Sequence, residues 1–504
     1  MMLAYSERIL NFLIRRRIWI RLLAALVVLL ALVYLGFVFF LPVDHDEVEH
    51  AHVAFKMLNG QIPYRDFYQN HLPAYWLLVM QPVRAFPFSV KAILAGRAFN
   101  LLALAACWLL GLRLLKSIRG GHTWFGLLIY TFAIVTVAFE MKVHEARPDP
   151  MMMLISTAGL CLIPLQGKIA GMRALFLGML FGLALSVSPK ALTIVWVLPA
   201  LVVLHCIRDR RFRPLATIFP YSLGVVLGLL PTAWWIFQNG LVEPFYFDVF
   251  GLNRALRKSW HLSINYLLLP IFLCSLLGAL VQLGAYKRRL NRYSNAPAII
   301  ALVMTAGLIL ALLSRHAAKY NLQVLIVFVA VGFVSFVLAL CQHIHAKGYQ
   351  LLLCAALIGY PAVHVADMLV RLKNDINSIQ MHDLQMFMDL AKPGNRTCTA
   401  FSPSHPLFCH DVSGLSNGWD LFFAEGIRDP QQLDRFRKLW HEGIRQTLDK
   451  RPDIILRRSP HNCWERAVAA GLIKPEEIQA LDALGPAYIA KQIGPREVWI
   501  RRQR

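Results

Sequence analysis

The stretch VDHDEVEHAHVAFKMLNGQIPYRDFYQNHLPAY, residues 43–75, crowds carboxylates and imidazoles directly after an apolar run that ends at Leu41. That run is long enough to cross a bilayer, so the charged stretch is expected to lie against a membrane face. Ionisable residues are costly to keep at a membrane unless they have a function. We therefore interpret residues 43–75 as the active-site loop of a membrane enzyme.

Composition indicates a polytopic membrane protein. Of the 504 residues, 57% are hydrophobic, and the mean hydropathy is +0.51. Soluble domains are about half apolar and do not repeat apolar runs of roughly 20 residues. The net charge of +23 comes from short basic clusters between such runs, as at residues 15–17 and 208–213. These clusters are typical of cytoplasmic helix ends, whereas nucleic-acid binding would need a basic stripe interleaved with aromatics.

The apolar runs predict about eleven transmembrane helices, with the N-terminus in the cytoplasm. The first run ends at Leu41. The others are predicted at 91–115, 123–140, 150–166, 174–188, 190–207, 215–237, 264–285, 296–313, 321–341 and 349–369. Alternation then puts the connections 141–149, 188–190, 238–263 and 314–320 on the outer side.

Two domains follow from this topology. Residues 1–370 form the transmembrane part, and residues 371–504 form a small soluble α/β domain on the outer side. The tail contains strand-like runs at 397–401, 453–456 and 498–500 and helix-like runs near 434–449 and 475–484. The first outer loop covers 42–90. In it we predict an interfacial helix over 48–58, followed by irregular structure from 61 to 90 because four prolines interrupt that segment.

Acidic residues are concentrated near the predicted outer face. The first 370 residues contain 13 Asp or Glu, and eight of them lie in the stretches 44–66 and 140–149. A partly desolvated carboxylate such as Asp46, beside Glu47, can act as a general base. The alternative is a solvated loop that caps a helix or pairs with Lys56 and Arg65.

The second acidic stretch, EMKVHEARPDPMMML, places Glu145, Arg147 and Asp149 at the start of a span. The two stretches could converge on one site, although Asp149 could equally be an ordinary helix cap. Cations are scarce on the outer side, so those found there suggest an anionic ligand such as a lipid phosphate, or else pairing with the acids. These residues are Lys190, Arg254, Arg257, Lys258, Arg315, Lys319 and the adjacent Tyr320.

The histidines near Asp46 raise the question of a metal. HDEVEH differs from the metalloprotease HExxH motif, because the Glu does not follow the first His. We expect no required cofactor, although Asp44, Asp46 or Glu49 could hold a divalent cation. Nine cysteines show no CxxC pair. Cys398 could bridge Cys409, or alternatively Cys463, if the tail faces an oxidising compartment.

The order DE-x-E-x-A-x-x-A-x-x-M-L-x-G-x-x-P-Y-R-D-x-x-x-x-H-x-P, residues 46–73, resembles the first outer loop of GT-C membrane glycosyltransferases. The resemblance is to the group of dolichyl-phosphate-mannose protein mannosyltransferases and lipid A aminoarabinose transferases. ARPD at 146–149, SPK at 188–190 and RHAAKY at 315–320 are similar to later motifs of that group. Three departures, His45, His52 and Leu72-Pro73, fall where substrates would bind.

The resemblance implies a GT-C fold and a sugar donor linked to polyprenyl phosphate, used at the outer face of a bacterial inner membrane. The sugar would pass with inversion to a lipid, glycan or protein acceptor. Asp46 would be the base, oriented by Glu47 and Asp149, and the outer cations would bind the lipid phosphate. Substrate-binding roles would fall to Asp44, Glu49, Tyr64, Arg65, Asp66, His71, Glu145 and Arg147.

Two other functions are compatible with a multi-spanning chain. A polysaccharide polymerase or ligase would use a glycan linked to lipid diphosphate, but such enzymes carry their large outer loop late in the chain. A transporter would place ionisable groups at mid-membrane, whereas the acids here cluster at one face.

Overall fold

The computed structural model describes residues 18–67, 69–118, 121, 123–164, 171–208, 214–251, 268–288, 296–313, 323–343, 379–392, 397–400, 410–411, 430–458, 467–469, 471–494 and 496–502. The predicted span at 349–369 lies outside these residues.

Helices dominate residues 18–343. The longer ones are α1 (Ile18–Phe40), α2 (His45–Leu58), α3 (Ala74–Ala85), α4 (Lys91–Lys116), α5 (Trp124–Glu140), α6 (Pro148–Leu162), α7 (Gly171–Val187), α9 (Val197–Arg208), α10 (Leu215–Gln238), α12 (Leu268–Arg288), α13 (Ala296–Leu313) and α14 (Ile326–His343). Two short helices, α8 (Leu192–Val195) and α11 (Val242–Tyr246), lie between them.

The helices follow the predicted apolar runs, and α13 coincides with the predicted span 296–313. By length and composition alone, three helices among the described residues could cross a membrane: Lys91–Lys116, Leu215–Gln238 and Gln323–Leu340. Exposed apolar side chains such as Phe219 and Trp234 cover the outside of α10, as lipid contact requires. The total of about eleven spans stays a prediction.

The predicted span 190–207 is broken near its start. Ser188 is extended, a 3₁₀ turn covers Pro189–Ala191, and the helix resumes in α8 and α9. The cause is Pro189, because a proline disfavours helical backbone in the residue before it. The break brings Lys190 to the end of the bundle where the first loop lies.

The first loop, residues 41–90, is more ordered than predicted. Helix α2 begins at His45 rather than at residue 48, because Asp44 and Glu47 form a capping box. Its polar face is buried along with its apolar face, and its place at the membrane interface stays a prediction. Irregular structure across 61–90 is also wrong for α3, whose buried Trp76 and Val83 pack it onto the bundle despite Pro82.

Helices α7 and α10 pack at backbone distance. Gly178 and Gly182 on one helix face Gly224 and Gly228 on the other. A Cβ atom at Gly182 would lie 2.2 Å from the carbonyl oxygen of Val225, closer than any side chain allows. Small residues four apart are the usual means of close helix contact in membranes.

We expect Gly182→Ala to lower the free energy of unfolding by about 1–3 kcal/mol, because the added methyl forces the two backbones apart. Thermal unfolding in detergent measures this loss. Gly36→Ala is the matched control, since a Cβ at Gly36 meets nothing within 4 Å. Equal melting temperatures for the two variants would contradict the close α7–α10 contact.

The C-terminal region contains α15 (Met381–Ala391), β1 (Thr397–Ala400), β2 (His410–Asp411), α16 (Pro430–Lys450), β3 (Ile454–Arg458), α17 (Pro475–Asp482), β4 (Tyr488–Ile493) and β5 (Arg496–Arg501). The strands form one sheet of order β2-β1-β3-β5-β4. Pairings of β1 with β2 and β3 are parallel, and those of β5 with β3 and β4 are antiparallel. The local strand predictions near 397, 453 and 498 and both helix predictions are confirmed.

This C-terminal region contacts both ends of the first loop. Val43 and Ile379 are fully buried and exchange two backbone hydrogen bonds of 2.8 Å. At the far end, Gln385 of α15 accepts from the Val90 N–H at 3.1 Å and donates to the Phe88 carbonyl at 3.2 Å. The C-terminal sheet and the first loop therefore lie at the same end of the bundle.

Candidate active site

A fully buried ion pair joins the first loop to helix α4. The guanidinium of Arg97 contacts Glu47 through two hydrogen bonds, Nε to Oε1 at 2.8 Å and Nη2 to Oε2 at 2.6 Å. Glu47 also accepts from the backbone N–H of Ala146 at 2.8 Å. Arg97 donates further to the last carbonyls of the α1 segment, including that of Leu41 at 3.0 Å. Both charged groups thus find their hydrogen-bond partners inside the protein.

Asp44 lies one step closer to the surface and is surrounded by cations. Its Oδ1 accepts from Arg147 Nη2 at 2.9 Å, and its Oδ2 accepts from Lys142 Nζ at 2.8 Å. Burial alone would raise the pKa of Asp44, but His45, Arg147 and Lys142 outweigh it and hold that pKa well below its ordinary value. Asp44 is therefore ionised and its oxygens are occupied.

Asp46 is the most exposed carboxylate of this group, with 15% of its side chain accessible against 8% for Asp44. Its Oδ2 lies 2.5 Å from Arg147 Nη2, and its Oδ1 lies 3.0 Å from His45 Nε2. Burial opposes ionisation, but Arg147 and His45 hold the pKa of Asp46 well below its ordinary value. Asp46 is therefore an ionised carboxylate with a cation at each oxygen and a partly accessible side chain.

His45 bridges the two aspartates, since its Nδ1 is 3.2 Å from Asp44 Oδ1. Burial would lower the pKa of His45, but Asp46 and Asp44 raise it to about 9. His45 is therefore an imidazolium at neutral pH. The sequence prediction noted His45 only as a departure from the GT-C pattern.

Glu145 completes the inner layer. Its Oε1 lies 2.9 Å from Lys142 Nζ and its Oε2 lies 2.7 Å from Arg147 Nε. Burial raises the pKa of Glu145 to about 7, although the charge of Arg147 opposes this shift. Lys142 reaches both Glu145 and Asp44 because its backbone turns sharply after α5, at a positive φ of 55°. The two acidic stretches of the sequence thus meet in one cluster.

Asp149 and Lys190 form a second pair in this region. Lys190 Nζ lies 2.6 Å from Asp149 Oδ1. Asp149 is in the first turn of α6 and is buried, whereas 25% of the Lys190 side chain is accessible. Burial lowers the pKa of nearby His50 well below its ordinary value, and the charges of Asp46 and Lys190 shift that pKa in opposite directions.

The remaining predicted residues of the first loop divide into a buried and an exposed set. His71 packs against His50 with ring centroids 4.8 Å apart, and its Nε2 is 3.8 Å from Glu49 Oε1. Tyr64 is buried, and its hydroxyl donates to the His71 carbonyl at 2.5 Å. Arg65 and Asp66 instead pair with each other on the surface, at 2.8 Å.

Six predicted phosphate ligands lie outside the described residues. These are Arg254, Arg257, Lys258, Arg315, Lys319 and Tyr320.

A divalent cation would have one candidate position among the described residues. Ligand atoms of Asp44, His45 and Asp46 lie within 4.8 Å of one another. However, Lys142, Arg147 and protonated His45 already contact these carboxylates. A metal would have to displace cations that the protein itself supplies.

Sequence reasoning missed Arg97 and Lys142. Arg97 was visible as a lone cation within the apolar run that became α4, and such residues mark functional or paired positions. Lys142 lies in the second acidic stretch, of which the prediction named only Glu145, Arg147 and Asp149.

Two crystal structures of ArnT from Cupriavidus metallidurans resemble this chain over nearly its whole length. In the apo state, ArnT matches with a TM-score of 0.51 at 16% identity, covering 94% of this chain and 97% of that one. The state bound to undecaprenyl phosphate matches with a TM-score of 0.52 at 13% identity, covering 96% and 98%. This chain has the ArnT fold. The predicted resemblance to GT-C enzymes, the group to which ArnT belongs, is confirmed at that level.

Sequence comparison adds nothing to this likeness. No protein-family model matches the chain, and no curated protein matches it. At 16% and 13% sequence identity, the likeness to the two ArnT structures concerns the fold alone.

We expect Arg97→Lys to lower the free energy of unfolding by about 3–5 kcal/mol. An ammonium group cannot make the two parallel hydrogen bonds of the guanidinium, so Glu47 would be buried with fewer partners. Unfolding in detergent measures the effect. Arg445→Lys is the control, since Arg445 pairs with Glu442 on an exposed helix face and should be nearly neutral. Similar melting temperatures for both variants would exclude Arg97 as a structural centre.

His45 predicts a pH dependence of stability. Its pKa rises from 6.5 to about 9 on folding, so its ion pairs stabilise the fold fully below pH 6.5 and are lost as the pH rises through 9. The melting temperature should fall across this window, and His45→Asn should remove that part of the fall. His382→Asn, with 83% of its side chain exposed, should leave the fall unchanged. A profile of His45→Asn parallel to that of the wild type would contradict a bridging imidazolium.

Proposed function

We propose that this chain is an integral membrane glycosyltransferase that moves a hexosyl or pentosyl group from a polyprenyl-phosphate donor to an acceptor hydroxyl. One observation carries the proposal. Asp46 is the most accessible carboxylate, and Lys190 the most accessible cation, of a largely buried charged cluster. That cluster lies at one end of an ArnT fold, and ArnT has been crystallised with undecaprenyl phosphate.

The reaction assigns the base to Asp46. The acceptor oxygen attacks the anomeric carbon, the bond to the phosphate oxygen breaks with its electron pair, and the hydroxyl proton passes to Asp46, with inversion at carbon. Glu47 and Asp44 are less suited to this step because 0% and 8% of their side chains are accessible, against 15% for Asp46. A carboxylate of low pKa accepts the proton late, once the attacking oxygen has become acidic.

Lys190 is assigned to the lipid phosphate. Negative charge grows on the phosphate as the sugar departs, and a fixed cation stabilises that charge without further reorganisation. Lys190 is available for this because a quarter of its side chain is accessible and its partner Asp149 holds it in place. We propose that Arg254, Arg257, Lys258, Arg315, Lys319 and Tyr320 join it. No cation cofactor is needed in this scheme, although the Asp44–His45–Asp46 position leaves a divalent cation open to test.

The proposed topology puts this end of the bundle outside the cytoplasm of a bacterial cell, at the inner membrane. The C-terminal domain, 371–504, contacts the first loop and would lie on the same side. A disulfide at Cys398 supports an oxidising compartment for this domain. The two possible partners of Cys398, Cys409 and Cys463, lie outside the described residues.

A transporter receives less support. Coupling ions and substrates of transporters bind near mid-membrane at broken helices. Among the described residues, the buried ion pairs of the bundle instead join the first loop, the α5–α6 connection and the neighbouring helix ends.

We expect Asp46→Asn to reduce transfer by roughly 10²- to 10⁴-fold, because the amide cannot accept the hydroxyl proton. The measurement is release of free undecaprenyl phosphate from undecaprenyl-phosphate sugars by purified protein, with native membranes as the acceptor source. Asp434→Asn, on an exposed C-terminal helix, is the matched control and should retain full activity.

Full activity of Asp46→Asn would exclude Asp46 as the base while leaving the donor class intact. Absence of release by the wild type with every donor would exclude the proposed function itself.

A further inference from the structure

Two neighbouring amide side chains beside the cluster each have one buried atom without a hydrogen-bond partner among the described residues. Gln69 is fully buried, and its Oε1 accepts from the backbone N–H groups of Asn70 at 2.8 Å and His71 at 3.3 Å. Within the described ranges, nothing accepts from Gln69 Nε2 and nothing donates to the buried Oδ1 of Asn70. Buried polar groups are nearly always paired, so the open donor of Gln69 and the open acceptor of its chain neighbour Asn70 call for a ligand or water.

The backbone of this segment is fixed on both sides. The Gln69 N–H donates to Asp248 Oδ2 at 3.2 Å, which ties the segment to the turn after α11. The Tyr64 hydroxyl holds the His71 carbonyl at 2.5 Å. With its Oε1 bonded to two backbone N–H groups, the Gln69 amide is held in one orientation, and the backbone that carries Asn70 is held with it.

The segment borders the proposed reaction site. The His71 side chain is 34% accessible and packs on buried His50. His50 lies four residues after Asp46 in α2, so both are on one face of that helix, and His71 packs against this face. A ligand bound at Asp46 would therefore lie near His71 and the two amides that precede it in the chain.

We propose that Gln69 and Asn70 form a subsite that reads a hydroxyl group of the transferred sugar. A sugar hydroxyl accepts one hydrogen bond and donates another. It can therefore accept a hydrogen bond from Gln69 Nε2–H and donate one to Asn70 Oδ1. Lipid chains and phosphates offer no donor for Asn70. The inference rests on the proposed function and specifies which residues select the sugar.

The test uses a substitution that changes one atom. Gln69→Glu keeps the oxygen that accepts from the Asn70 and His71 backbone, and replaces the Nε2 donor by a second oxygen. Gln61→Glu, in the same loop but outside the subsite, introduces the same change as a control. Asn70→Leu removes the acceptor instead and serves as a second variant if Gln69→Glu folds poorly.

The probes are undecaprenyl-phosphate glucose, galactose and mannose and the pentose arabinose in the same linkage, followed by the monodeoxy analogues of whichever sugar is transferred. We expect the wild type to prefer the parent sugar over one analogue by at least roughly tenfold in kcat/KM. Gln69→Glu should lose roughly 10- to 100-fold on the parent and almost nothing on that analogue, so that the preference disappears. Asn70→Leu should abolish the same preference, and Gln61→Glu should preserve it.

Equal losses on the parent and all analogues would overturn the subsite and indicate a structural turn. An unchanged preference in both variants would also overturn it, with the transferase function intact. If the wild type releases no undecaprenyl phosphate from any probe, the proposed function fails and the subsite fails with it.

Discussion

The site depends on one buried ion pair, that of Arg97 with Glu47. Both side chains have no solvent exposure, so each has lost its hydration, and only close geometry compensates for that loss. The fork of Arg97 provides this geometry by binding both oxygens of Glu47 and the carbonyls at the end of α1. Glu47 in turn accepts from the backbone of Asp44 and Ala146. One pair thereby fixes α1, α2, α4 and the loop before α6 relative to each other.

Around that pair, the negative charges of the cluster are matched by positive charges. Four carboxylates, Asp44, Asp46, Glu47 and Glu145, meet four cationic side chains, His45, Arg97, Lys142 and Arg147. Arg97 and Glu47 are fully buried, whereas Asp46 is the most accessible of the carboxylates and nearby Lys190 the most accessible of the cations. An arrangement of this kind holds reactive groups in place before substrate arrives, which is the main electrostatic contribution an enzyme can make.

The sequence alone predicted the apolar helices, the convergence of the two acidic stretches and the likeness to GT-C enzymes. It also contained two signals that the prediction did not use. Asp44-x-x-Glu47 is a capping-box pattern that sets the start of α2, and Arg97 is an isolated cation in an apolar run. Other features depend on contacts between distant residues. The pairing of Val43 with Ile379 and the contact of Gln385 with Phe88 leave no local pattern. Helix α3 formed across prolines because packing of Trp76 outweighed local preference.

The roles assigned to Asp46 and Lys190 can be tested by a cryo-electron microscopy structure of the protein in nanodiscs with an undecaprenyl-phosphate sugar. We expect the phosphate within salt-bridge distance of Lys190 Nζ and the anomeric carbon on the side of Asp46, with the Arg97–Glu47 pair unchanged. A donor bound with its phosphate and sugar remote from both Asp46 and Lys190 would contradict these roles.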